Sequence, residues 1–121
     1  MTKPTAVQPP IEVVELPGFQ RDADQLFTRE QLAGIIWVIA CEPELGKLIP
    51  GTGGLRKLRS GLDNRGKSGG ARVIYFFGGE HMPVYLLAVY GKSEATDLTP
   101  GEKKQMTALV AALKKHHGRT S

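Results

Sequence analysis

The apolar positions along the chain change their period several times, and each change marks an element. Between Ile11 and Leu16 apolar and acidic side chains alternate before Pro17-Gly18, which predicts a short strand. Phe19 to Phe27 reads as a weakly patterned helix. Thr28 and Gln31 stand at capping-box spacing, and Leu32, Ile35, Ile36 and Ile39 recur at helical intervals, which predicts a helix over Arg29 to Cys41 that Pro43 ends. Trp37 and Val38 add apolar surface off that stripe, so this helix is expected to be covered on more than one side, by the sheet and by the other helices. Beyond the turn at Gly51, Gly53 and Gly54 come three β-rich segments, Leu55 to Arg59, Ala71 to Phe77 and Val84 to Lys92. The loops 60–70 and 78–83 each hold a glycine pair, so antiparallel hairpins are the simplest connections. Thr99-Pro100-Gly101-Glu102 then combines an N-cap, a proline at the first helical position and a capping glutamate. It opens a last helix striped by Met106, Leu109, Val110 and Leu113.

The order β, α, α, β, β, β, α predicts an α+β fold: a small, mostly antiparallel sheet with helices packed on one face. A chain of 121 residues supports one core. Residues 11–117 are read as a single domain, with 1–10 and 118–121 as flexible ends. Cys41 stands alone, which excludes an internal disulfide and a cysteine metal cluster, and its apolar neighbours suggest a core residue. No apolar run approaches the roughly 20 residues that span a bilayer, and the N-terminus lacks the apolar stretch of an export signal. No membrane partner is expected, and the cytoplasm is the expected compartment.

Charge is segregated. Residues 1–46 carry three basic and seven acidic side chains, whereas residues 47–92 carry eight basic and two acidic ones, net +6. A basic block of this kind is the footprint of a polyanionic ligand, although a merely solvated lysine face is the bland alternative. Strand alternation divides its members. Leu55, Lys57 and Arg59 point one way, and Arg56 and Leu58 the other, with Arg56 read as an ordinary surface charge. Arg72 shares a face with Ile74 and Phe76. Tyr90 and Lys92 are grouped with Val84, Leu86 and Ala88. Arg72, Tyr90 and Lys92 lie near strand ends, so they outline a mouth edged by the loop that carries Arg65 and Lys67. A core tyrosine is the plain alternative for Tyr90.

Gly61 to Ser68 matches the phosphate-binding pattern G-x-x-x-x-G-K-[ST], but that mechanism needs a helix next, and here a β-rich run follows. These glycines are read instead as a basic hairpin loop. His81, His116 and His117 have unremarkable positions, and no Ser-His-Asp set, catalytic carboxylate pair or H-E-x-x-H sequence occurs. Acid–base work would therefore fall to Lys, Arg and Tyr, which suffices where RNA supplies its own 2′-OH nucleophile. No metal or cofactor is required by such a site.

The runs Pro50 to Arg59, Gly66 to Tyr75 and Tyr85 to Lys92, in this order and spacing, resemble toxins of the RelE/HigB superfamily of bacterial type II toxin–antitoxin systems, in the HigB-like branch. The resemblance spans roughly residues 10–117. It implies a microbial-ribonuclease-like fold and a metal-independent endoribonuclease, an mRNA interferase that cuts mRNA in the ribosomal A site. It also implies a helix-turn-helix antitoxin that neutralises the toxin and through which alone operator DNA is met. By position, the catalytic set falls on Lys57, Arg72, Tyr90 and Lys92, and RNA-binding residues on Arg59, Arg65 and Lys67. Some relatives have an arginine after the lysine and a later tyrosine, whereas here Ser93 follows Lys92 and no tyrosine follows Tyr90. The second reading is a non-catalytic nucleic-acid-binding module or repressor accessory protein.

Overall fold

A computed structural model describes residues 10–60, 70–91 and 98–118 of the chain. Its elements are β1 (Val13–Glu15), α1 (Pro17–Leu26), α2 (Arg29–Cys41), β2 (Lys47–Leu48), β3 (Leu55–Ser60), β4 (Ala71–Phe76), β5 (Val84–Gly91) and α3 (Pro100–Gly118). The five strands form one sheet in the order β1-β5-β4-β3-β2. β1 runs parallel to β5, and every other neighbouring pair is antiparallel.

Local chemistry starts α2 and α3 where the sequence predicts, whereas α1 begins two residues before the expected Phe19, at Pro17. Thr28 Oγ1 accepts the Gln31 N–H at 3.0 Å while Gln31 Oε1 accepts the Thr28 N–H at 2.9 Å, a reciprocal cap on α2. Thr99 and Glu102 close the same arrangement on α3, at 3.1 and 2.9 Å. The two-residue strand β2 was not expected, because Lys47-Leu48 is too short to show alternation.

Helices lie on both faces of the sheet, not on one. Phe19 and Ala23 of α1, Phe27 just after it and Ile39 of α2 pack with Val73, Tyr75, Val84 and Leu86. Val110 of α3, supported by Met106 and Leu113, packs on the other side with Leu55, Ile74, Phe76 and Leu87. The reason is legible in β4, whose six residues are all buried. A strand apolar on both faces needs a layer on each. The α+β class and the mostly antiparallel sheet are unaffected.

Tyr75 pairs with Leu86 and Ile74 with Ala88, so Leu87 is an extra residue in β5. Such a bulge reverses the alternation. Val84 and Leu86 consequently face α1 and α2, whereas Ala88 and Tyr90 face α3, which corrects the expectation that all four share one side.

Three other expectations fail at the surface. Trp37 is 60% exposed and Val38 is exposed beside it, so the outer side of α2 is not covered by another helix. Cys41 is exposed rather than core. Arg56 is half-buried and structural: its Nη1 donates to the carbonyls of Glu44, at 3.0 Å, and Gly46, at 2.7 Å. Its cross-strand partner Tyr75 holds the same loop, donating to Pro43 O and accepting the Gly46 N–H, both at 2.8 Å. Together they seat the segment between α2 and β2. Any side chain at position 46 would collide with Tyr75, since a Cβ there falls 2.8 Å from its Oη.

Candidate nucleic-acid interface

In the β3–β4 register Arg59 lies opposite Arg72, and in the β4–β5 register Arg72 lies opposite Tyr90. Residues directly opposite each other share a face, with Cβ atoms about 5 Å apart. The neighbouring row is Lys57, Ile74 and Ala88. Since Ile74 and Ala88 belong to the α3 side, Lys57, Arg59, Arg72 and Tyr90 all stand on that face. Four of the sequence-derived site residues are thus brought together. The bulge at Leu87 is what turns Tyr90 toward Arg72, because an unbroken alternation from Val84 would have sent it to the other side.

Exposure grades along the row. Arg59 is exposed and Lys57 and Tyr90 are half-buried, whereas Arg72 is only 9% exposed. Its Nε is buried without a hydrogen-bond acceptor among the described residues. Neither Arg59 nor Arg72 has an ion-pair partner there. Guanidinium groups keep their charge, and like charges directly opposite in a sheet repel. Two such groups side by side, one of them buried, form an arrangement that an anion would relieve.

Arg65, Lys67 and Lys92 lie outside the described residues, as does the phosphate-loop look-alike Gly61 to Ser68. Their chain neighbours are nevertheless informative. Ser60 pairs with Ala71 and Ala71 with Gly91, so these described neighbours stand at the end of the sheet occupied by Arg59, Arg72 and Tyr90.

α3 is anchored toward the other end of this face. Lys114 Nζ donates to Gly53 O at 2.9 Å and lies 5.8 Å from the centre of the Phe76 ring. Tyr85 Oη and His117 Nε2 meet at 2.8 Å. Burial raises the Tyr85 pKa above the ordinary phenol value, with Glu12 adding to the effect. Sequence reading assigned His117 no such contact, although it lies one and two helical turns from Leu113 and Val110 on the packed stripe.

No family model matches this sequence. Its structure is similar to that of the E. coli toxin RelE, solved in the free state as a variant with two arginines replaced by alanine, at a TM-score of 0.54 and 21% identity. The match covers 72% of this chain and 87% of that one. The chain therefore has a RelE-like α+β fold.

Proposed function

We propose that the chain is the toxin of a toxin–antitoxin pair, a metal-independent endoribonuclease of the HigB-like branch that cleaves mRNA in the ribosomal A site of the cytoplasm. The observation that carries this reading is Arg72, a buried arginine without a carboxylate partner among the described residues, set between Arg59 and Tyr90. In the reaction the 2′-OH attacks the adjacent phosphorus, a 2′,3′-cyclic phosphate forms and the 5′-oxygen leaves. Arg72 and Arg59 grip the non-bridging oxygens as negative charge grows on them. Lys57 or Tyr90 takes the 2′-OH proton, and Lys67 or Lys92 returns one to the leaving oxygen. A helix-turn-helix antitoxin would neutralise the toxin and carry it to operator DNA.

The test is incubation of the purified protein with mRNA, alone and on translating 70S ribosomes, followed by analysis of the new termini. Cleavage that leaves 2′,3′-cyclic phosphate and 5′-hydroxyl ends is expected, and it should require Arg72. RNA binding without cleavage in either setting would favour the non-catalytic module instead.

A further inference from the structure

A groove among the described residues lies away from the arginine row. It has a volume of about 650 Å3 and sits where the end of α2 meets the start of β1 and the turn after β4, lined by Ile11, Leu45 and Phe77 and edged by Glu42, Glu44 and Glu80. Phe77 is five residues beyond Arg72 along the β4 direction, which at about 3.4 Å per residue puts some 17 Å between them. Apolar surface continues outside the groove. Leu45 is 51% exposed, and Trp37 stands one helical turn before Cys41, which itself lines the groove.

The three carboxylates are on exposed residues, and among the described residues none has an ion-pair partner and no lysine, arginine or histidine lines the groove. In a chain of net charge +4 this is an acidic, apolar-floored site at the far end from the cationic row. Nucleic acid is repelled by it. A partner that fits must bring both apolar side chains and positive charge, because either alone leaves half of the surface unsatisfied.

We propose that this groove docks a protein partner through a cationic segment interleaved with apolar residues, its Lys or Arg side chains meeting Glu42, Glu44 and Glu80 while its apolar side chains cover Leu45, Phe77 and Trp37. The separation along β4 means that the docking contact itself does not use the arginine row. The proposal does not depend on the ribonuclease reading.

Trp37 is the only tryptophan, so its emission reports on this surface directly. The test is titration of the full chain with a synthetic ten-residue peptide of alternating Lys and Leu, beside Glu–Leu and Lys–Ser peptides of the same length. The Lys–Leu peptide should shift Trp37 emission to shorter wavelength, saturably, and shield Cys41 from a thiol reagent. Glu42→Gln/Glu44→Gln/Glu80→Gln should weaken that binding about tenfold or more at an unchanged melting temperature, whereas Arg72→Ala should bind like the parent. An equal response to the Glu–Leu or Lys–Ser peptide overturns the proposal, as does equal binding by the triple variant. A peptide-independent emission shift that grows with protein concentration would also overturn it, by showing that a second copy of the chain takes the groove.

Discussion

Arg59 and Arg72 face each other across β3 and β4, and neither meets a carboxylate among the described residues. A pair of this kind works against the folded state, and the phosphate of the proposed RNA substrate would relieve it. Stability and activity should therefore separate at Arg72.

Arg72→Met keeps the apolar stem and removes the charge. It is expected to fold as stably as the parent or better, because relieving a directly opposed like-charge pair is worth about 0.2–1 kcal/mol. Cleavage should fall about 10² to 10³ with the loss of a transition-state contact. Thermal unfolding and single-turnover cleavage on the same preparations check both halves. An unfolded Arg72→Met protein would mark Arg72 as structural.

Binding of single-stranded RNA should depend steeply on salt. With Lys57, Arg59 and Arg72 each neutralising a phosphate, the slope of log K against log salt is expected near about −2, since each contact on a single strand contributes about −0.7. Arg59→Ala should flatten the slope by one such step. Measured on a non-cleavable 2′-deoxy oligonucleotide, an unchanged slope would remove Arg59 from the phosphate path.

Arg56 should show the reverse of Arg72. Its two bonds to the Glu44 and Gly46 carbonyls hold the loop before β2, and hydrogen bonds to charged groups contribute about 1.5–3 kcal/mol. Arg56→Ala is expected to lower the melting temperature accordingly while the folded fraction keeps its specific activity. Denaturant unfolding beside cleavage per folded molecule distinguishes the two effects.

The contrast between these arginines shows where sequence reading stops. Capping chemistry at Thr28 and Thr99 and the split between Lys57 and Arg56 were legible, because they depend on spacing of two to four residues. The role of Arg56 was not, because its acceptors are backbone carbonyls ten and twelve residues away. Nor was the orientation of Tyr90: a bulge is a feature of pairing, and Val84 to Gly91 carries no glycine or proline inside the strand to announce it. The exposure of Trp37 was not legible either, since an apolar residue on the surface looks in sequence like one that packs into a core.

Alkaline pH should loosen the same loop that Arg56 holds. Burial is the largest influence on Tyr75 and raises its pKa above the ordinary phenol value, against the opposing pull of the Gly46 hydrogen bond and Arg56. A phenol whose folded pKa exceeds its unfolded one stabilises the fold fully below about pH 10, and that contribution is lost as pH climbs through the folded value. Tyr75→Phe should therefore be less stable at neutral pH, by about 1–3 kcal/mol for the buried partners left unpaired, yet lose less stability between neutral and strongly alkaline pH. Urea midpoints for both proteins across that range test it, and parallel curves would contradict it.

The choice between Lys57 and Tyr90 as the base rests on which row each occupies. Tyr90 lies directly opposite Arg72, whereas Lys57 sits opposite Ile74, two residues or about 7 Å along the strand from the arginine row. In the proposed reaction, a phosphate gripped by Arg72 and Arg59 stands nearer to Tyr90 than to Lys57, and the Tyr90 hydroxyl, which is buried in the free protein, must turn outward to reach the 2′-OH. Tyr90→Phe keeps the ring and its packing, so it is expected to lower kcat about 10² to 10⁴ with little change in KM. It should also flatten the rise of rate with pH, because the titrating base is gone. Lys57→Met should act chiefly on KM, through a lost phosphate contact, and keep the parent's pH dependence. Single-turnover rates from pH 6 to 9, with melting curves for both variants, separate the roles. If Lys57→Met loses the pH dependence and Tyr90→Phe retains it, the lysine is the base, and the tyrosine serves to pack the face beside Arg72.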